Sequence, residues 1–271
     1  MEEVLLRIAK KLEQKRYGKF RGVVTNNQDP EQRGRLKLKV PAVLADQKTD
    51  WALPCLPFGG DASYGWFAVP KVGAQVWVEF EEGDIQRPIW TGTFWPQQNQ
   101  VPSEAQKTEP TTYLFQTPAG HVLQFDDASG KERFRLLHPS AAEVLIDHQG
   151  VMTLTDAQGS KITLDAQNSE IVVADVNGNT LTLSASGTTV EDVNGNKLEM
   201  AASGVKVQAQ QVVIQGGQVM LGGQGGEPVI KGQSFLTLFA THTHPVPGVG
   251  SSGPPIPQGE MSTLSTKVLT T

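Results

Sequence analysis

The sequence predicts an all-β protein: a short N-terminal helix, a small closed barrel, then a repetitive strand-rich half that shelters its strands in a trimer. Three observations carry this reading. Gly 28 and Pro 17 make about one residue in six of 271, above ordinary usage, so turns are plentiful and long helices scarce. Residues 17–95 hold five or six short strand patterns with no helix between them. From residue 113 onward aromatics nearly vanish, and a turn-plus-strand unit recurs.

The helix falls on residues 2–16, with Glu2 and Glu3 in its first turn and Lys15 and Arg16 in its last, as the helix dipole favours. Val4, Leu5, Ile8 and Leu12 form one apolar stripe that needs a packing partner. Strands then read at Phe20–Val24, Arg35–Val40, Trp66–Val69, Ala74–Phe80 and Pro88–Phe94, with turns at Asn26–Pro30, Gly59–Gly65, Pro70–Gly73 and Glu81–Asp84. Trp51–Phe58 is broken by prolines, which confines it to an edge or a loop. A closed barrel buries such strands without leaving edges to aggregate. Residues 96–112 are polar and Pro-rich, a linker or extended arm.

The repeat is an Asx/Gly turn followed by alternating apolar and polar residues. Copies begin at Asp156-Ala-Gln-Gly159, Asp175-Val-Asn-Gly178 and Asp192-Val-Asn-Gly195, and a degenerate one at Asp127-Ala-Ser-Gly130. Each strand offers two or three aliphatics, too thin a rib for a monomeric core, and no helix is at hand to cover it. Stacked repeats of this period suit a β-solenoid. One chain coiling alone and three chains intertwined about an axis both satisfy the pattern. The intertwined trimer is the reading taken, because it closes every edge.

Charge and cysteine content exclude several classes. The formal charge is −5, but residues 1–40 carry +6 and the remainder −11. The basic front suits protein docking or a solvated surface better than nucleic acid, because Arg33-Gly-Arg35-Leu-Lys37-Leu-Lys39 alternates like the wet side of a strand. A single cysteine, Cys55, excludes an intramolecular disulfide framework, and its Leu-Pro-Cys-Leu-Pro context predicts a buried, inert thiol. No apolar run approaches a membrane span, and the acidic start does not resemble a secretory leader, so synthesis in the cytoplasm is expected.

One motif carries chemistry. Thr241-His242-Thr243-His244-Pro245 holds two of only five histidines at i and i+2. In a strand both imidazoles would share a face. One chain supplies two nitrogens, and three chains about an axis supply six, a shell suited to a first-row divalent ion such as iron. The competing reading is a pair of surface histidines in a Pro-rich loop. His121, His138 and His148 fall at turn edges and are expected in solvent. Asp126-Asp127 and Glu81-Glu82 sit in turn-like segments, so no acid/base pair is expected. The Asp-x-Asn-Gly-Asn turns lack the acidic density of a calcium loop. No phosphate loop, nucleophile elbow or His-Glu-x-x-His occurs, so no catalytic residue is expected.

Gly22-Val-Val-Thr-Asn-Asn-Gln-Asp-Pro30, Arg33-Gly-Arg-Leu-Lys-Leu-Lys-Val-Pro41, Trp66–Pro70, Gly73–Phe80 and Gly83–Trp90 together resemble the OB-fold domain of phage baseplate spike proteins. That family includes phage baseplate assembly protein V and the VgrG-like spikes of contractile injection systems. The repeats resemble its triple-stranded β-helix, and His242-x-His244 resembles its iron-binding tip. The resemblance implies a non-enzymatic homotrimeric central spike. Its parts would be an N-terminal helix (1–16), an OB-fold domain (17–95), a linker (96–112), a β-helix (113–240) and a tip segment (241–271). One iron per trimer would sit on six histidine nitrogens from His242 and His244. Implied partners are the tail tube or hub, baseplate proteins and the target cell envelope. The particle would be a virion tail baseplate or a contractile injection machine. The linker is too short for the lysozyme domain some relatives carry. Residues after His244 either fold back as the apex or accept a separate tip protein. The alternative is an OB-fold nucleic-acid-binding module on a β-rich stalk, disfavoured because Trp51, Trp66, Trp77, Trp90, Phe94 and Trp95 mostly fall at core-like or Pro-bounded positions. A carbohydrate-active fibre would need paired acids on adjacent rungs, and the repeat acids lie in turns.

Overall fold

A computed structural model describes residues 15–217, 230, 232–248 and 250–255. The expected helix at 2–16 lies outside the described residues except for Lys15 and Arg16, which are not helical.

Apolar alternation builds the first sheet. Its strands are β1 (Phe20–Asn26), β2 (Lys37–Lys39), β3 (Leu53–Pro54), β4 (Gln75–Phe80) and β5 (Pro88–Thr93), in the order β2-β1-β4-β5-β3. Every second residue of β4 is buried, as alternation requires. An antiparallel bridge from Leu36 to Ala52 joins the two ends of this order, with both backbone hydrogen bonds made, and turns the sheet into a barrel. Val24, Leu36, Leu38, Val40, Val76, Val78, Phe80 and Trp90 fill it, and the Trp90 indole N–H donates to the Gly34 carbonyl. Gly22 is required here, because a Cβ would lie 2.7 Å from a Val78 methyl. A one-turn helix, α1 (Pro41–Leu44), follows β2.

Asp29 organises the long β1–β2 loop. It receives backbone N–H bonds from Glu31, Arg33 and Arg35 and a forked contact from the Arg35 guanidinium. Arg35 holds the Asp29 carboxyl well below the usual carboxylate range.

Two expectations fail in this region. Trp66–Val69 is not a strand, and Trp66 and Phe67 are 51% and 67% exposed. Here alternation is lost between Gly65 and Pro70, so the chain runs as an extended loop. Cys55 is exposed rather than buried: its N–H pairs with the Trp90 carbonyl at the edge, where the core ends. The Pro-broken segment does lie at an edge, in β3, whose pairing with β5 is parallel.

Eleven strands form the second sheet: β6 (Thr112–Gln116), β7 (Val122–Asp126), β8 (Arg133–Leu137), β9 (Glu143–Ile146), β10 (Met152–Thr155), β11 (Lys161–Asp165), β12 (Glu170–Ala174), β13 (Thr180–Ser184), β14 (Gly187–Glu191), β15 (Lys197–Ala201) and β16 (Gly204–Gln208). Each pairs antiparallel with its sequence neighbours, in strict order from β16 to β6. No turn returns to an earlier strand, so the chain does not coil on itself as a solitary solenoid.

Register makes this sheet one-sided. Cross-strand partners line up as Phe115, Leu123, Leu136, Val144, Leu154, Ile162, Val173, Leu181, Val190, Leu198 and Val207, one from each strand. A parallel row two residues away runs from Tyr113, Phe125 and Phe134 through Ile146, Met152, Leu164, Ile171 and Leu183 to Met200 and Val205, broken only by Thr188. The central row of the opposite face is mostly polar, with Gln124, Arg135, Thr153, Thr163, Thr182, Thr189, Glu199 and Lys206, interrupted by Leu145 and Val172 and begun by Leu114.

The repeat turns preserve that register. The Oδ1 atoms of Asp156, Asp175 and Asp192 each accept backbone N–H bonds from two and four residues on. Asp147 makes the same turn with Gln149 and Val151, a copy hidden in the sequence by its His-Gln interior. These carboxylates each accept N–H bonds within their own turns. Gly187 starts β14 at φ +141°, where a Cβ would meet the Met200 carbonyl at 2.0 Å. His121, His138 and His148 lie exposed at turns, as expected.

Amides of Asn177 and Asn179, with their backbone N–H groups, pull the Asp175 carboxyl down to about 2. The side-chain amide of Asn196 likewise lowers Asp192, and backbone N–H bonds led by that of Gln158 lower Asp156. Depressed carboxylates stabilise the fold fully above the ordinary value of 3.8 and lose that contribution as pH falls through the folded value. Urea midpoints should therefore hold above about pH 4 and fall between about pH 4 and 2. Asp175→Asn, which keeps an acceptor oxygen but cannot be protonated there, should flatten part of that slope.

Candidate functional site

Two features of the described residues point to function: the uncovered apolar face of the large sheet and the histidine pair beyond it. The described residues form two compact units, one up to Gln210 and one from Gln211.

Within the first unit, the apolar face carries half-exposed side chains at its centre: Leu154 at 45%, Ile171 at 42% and Leu164 at 40%. A concavity of about 840 Å³ runs along the first row, lined by Leu123, Leu136, Val144, Leu154, Ile162 and Val173 among others. Monomeric proteins rarely expose a contiguous apolar surface of this extent. Trp66 packs edge-on against Phe115, the first residue of that row, with ring centroids 5.5 Å apart. The barrel loop thus continues the apolar surface.

The segment between barrel and sheet is fastened. It forms two short 3-10 turns, Gln98–Gln100 and Ser103–Ala105. Lys107 pairs with Asp126 at 2.5 Å, and Glu104 reaches Arg133 and Arg135 at 3.5 and 3.4 Å. Asp126 was expected in solvent, yet it is buried, and the Lys107 hydrogen bond lowers its pKa despite that burial. Thr111, the Ala128 N–H and Arg133 complete its surroundings. Gln124, two residues earlier, is fully buried, and its amide has no hydrogen-bond partner among the described residues.

Aromatics of the barrel are less buried than their pattern predicts. Of Trp51, Trp66, Trp77, Trp90, Phe94 and Trp95, only Trp90 is in the core, and Trp95 is 61% exposed. Arg21 lies over Trp77 and Phe94, and Lys37 lies over Trp51 at 5.3 Å.

In the second unit, α2 (Gly232–Thr241) ends at the histidine motif. His242–His244 is not in a strand: the His242 N–H still bonds to the Leu238 carbonyl, which extends the helical path to this residue. The imidazoles nonetheless meet. Phe235, Phe239, His242 and His244 follow one another at centroid separations of 6.2, 5.2 and 5.1 Å, the last edge-to-face. Beyond them the chain doubles back in a hairpin of β17 (Pro245–Val246) and β18 (Gly250–Ser251). Ser252 returns to His244, whose N–H donates to the Ser252 hydroxyl at 2.8 Å, while the Ser252 N–H donates to the His244 carbonyl at 2.7 Å. Described residues therefore fold back after His244.

Among the described residues no cluster of three or more His, Cys, Asp or Glu side chains could hold a metal, so the two imidazoles have no carboxylate or thiolate co-ligand. Also among the described residues, no helix is long and apolar enough to cross a membrane.

With this geometry in hand, the comparisons are informative. The family described as the Type VI secretion system/phage-baseplate injector OB domain matches residues 20–95, the five-stranded barrel. The barrel is thus similar to the OB domain of that family. Curated relatives extend the likeness. The Type VI secretion system spike protein VgrG5 of Pseudomonas aeruginosa is 35% identical over 95 residues, 33% of this chain and 12% of the relative. The actin cross-linking toxin VgrG1 of Vibrio cholerae is 31% identical over 114 residues, 39% of this chain and 10% of the relative. The V. cholerae spike protein VgrG3 is 29% identical over 123 residues, 42% of this chain and 12% of the relative. The chain is thus VgrG-like in its injector domain, and the matched parts span about a tenth of these relatives' length. Among solved structures, the CPAP G-box domain aligns over 70% of this chain and 98% of its own at 13% identity, but its TM-score of 0.28 carries no argument.

Replacing Lys107 with Ala leaves Asp126 without its closest cation. Limited proteolysis of the variant should open cleavage within 96–111, with the barrel fragment remaining resistant. Unchanged resistance of that segment would show that the ion pairs do not fasten it.

Proposed function

We propose that this protein is the structural central spike of a contractile tail or injection machine. Three copies place their apolar faces inward, and each sheet forms one side of a three-sided β-helical prism. The observation that carries this is the two-row apolar face, continuous over eleven strands and uncovered by anything else in the described chain. Burial of each half-exposed Leu, Ile or Val there is worth about 1 kcal/mol, a sum that favours association strongly. A prism closed on itself has no wet apolar surface, and such a shaft resists bending.

The injector-type barrel then serves as the collar that docks to tube and baseplate, and the shaft leads through the target envelope on contraction. The action is mechanical and non-enzymatic. The protein is made in the cytoplasm and assembled into a virion tail baseplate or an injection particle. At the tip, His242 and His244 of three copies hold one divalent iron, which cross-links the chain ends. The fold-back at Ser252 favours this segment as apex; a separate tip protein is the other arrangement.

Native mass measurement tests the shaft. The wild-type protein should have three times the 29.2 kDa chain mass. Ile162→Asp, on the apolar face, should dissociate or aggregate it, and Thr163→Lys, on the other face, should leave the mass unchanged. A wild-type monomer would overturn the reading. Elemental analysis tests the tip: one iron per three chains, lost in His242→Ala with the trimer intact.

A nucleic-acid reading of the barrel draws on exposed Trp66 and Trp95 and on the cation–π pairs of Arg21 and Lys37. Salt-sensitive single-strand binding at low ionic strength would support it in place of docking.

A further inference from the structure

We infer that Thr188 fixes the axial register in which copies of this chain assemble. This rests on the reading that three copies bury their apolar faces against one another. Such a face holds its partners firmly across the axis but weakly along it. Its two rows repeat at the spacing of neighbouring strands, about 4.8 Å, over eleven strands. Bulk marks the barrel end, with Tyr113, Phe115, Phe125 and Phe134. From β9 onward the first row holds only Val, Leu and Ile, and the second holds Ile, Met, Leu and Val around one exception. Adjacent strands alternate in direction, so a copy displaced by two strands, about 10 Å, presents nearly the same surface to its neighbours.

Thr188 is that exception. It pairs across the sheet with Leu183 of β13 and Met200 of β15. It is half-buried, and its hydroxyl has no hydrogen-bond partner among the described residues. A hydroxyl carries one donor and two acceptor positions. Three copies related by one axis bring three Thr188 hydroxyls to the same level, where each can donate to the next, directly or through a shared water. In a copy displaced by two strands, Thr188 lies instead at the level of its neighbours' Ile171 and Val173, or of their Val205 and Val207. Nothing there accepts a hydrogen bond from the side chain, and the hydroxyl is buried at its full desolvation cost. A single polar residue in an apolar seam selects register in this way. The same requirement identifies what covers the face. The occupant must carry aliphatic groups at the same strand spacing and a polar group at one level, and a second copy of this chain meets both conditions.

The experiment uses the full-length protein with a nitroxide label on Lys206→Cys, an exposed position on the opposite face of β16, in a Cys55→Ser background. Pulsed electron resonance reads the distances between labels, and native mass reads the assembly. With Thr188 in place, three labels related by one axis should give a single narrow distance. Thr188→Val, which keeps the shape and loses the hydroxyl, should keep the trimer mass and add a longer distance from displaced copies. Thr188→Ser, which keeps the hydroxyl and loses the methyl, should restore the single distance. A single narrow distance in the valine trimer would overturn this inference alone. A second distance in both the valine and the serine trimers would also overturn it, because the hydroxyl would then not be the cause. A wild-type monomer would instead remove the trimer on which it rests.

Discussion

The large sheet is governed by one constraint: period-two alternation must stay in register across every hairpin. A slip of one residue at any turn would send the rest of the apolar row to the polar face. The Asx turns at Asp147, Asp156, Asp175 and Asp192 prevent this by fixing loop length through carboxylate-to-backbone bonds. Gly187 serves the same end where the connection is too tight for a side chain. The result is a face with the hydrophobicity of a core that nothing else among the described residues of its unit covers. Threonines and charges on the other face keep that side in water. Association through the apolar face is therefore the natural outcome, and the proposed spike follows from it.

Continuity between barrel and sheet has a physical basis of its own. Lys107, Glu104, Asp126, Arg133 and Arg135 tie the connecting segment to the polar face of the first strands. On the apolar face, Trp66 meets the start of the first row at Phe115. The connection is thus held on both faces of the sheet. An axial load on a spike would pass through this joint.

Much of this was legible beforehand. Short-range patterns placed barrel strands at 20–24, 74–80 and 88–94, where the structure has 20–26, 75–80 and 88–93, and also gave the edge character of the Pro-broken segment and the repeat strands after their Asx turns. What escaped depended on contacts far apart in sequence. Asp126 reads as a turn acid until Lys107 is seen beside it. Cys55 sits among leucines and prolines, but the barrel ends before its side chain. Trp66 and Phe67 look like a strand, yet beyond the Trp66 N–H bond to the Phe58 carbonyl they join no strand ladder among the described residues. The Asp147 turn was missed because its His-Gln interior lacks the asparagine of its siblings. The histidine pair was found by composition and spacing, but its helix-end setting was not, since Thr-His-Thr-His is neutral between helix and strand.

Alternation and turn chemistry are local, so the sequence by itself determined the strands, their hairpins and the two unlike faces of the sheet. It also marked His242 and His244 as the groups with ligand chemistry. Only the tertiary structure decided that the strands lie in one uncoiled row, that the connecting segment is clamped, and that a helix end and Ser252 bring the two imidazoles together. Those outcomes depend on which distant groups meet, and residue spacing along a chain does not encode that directly.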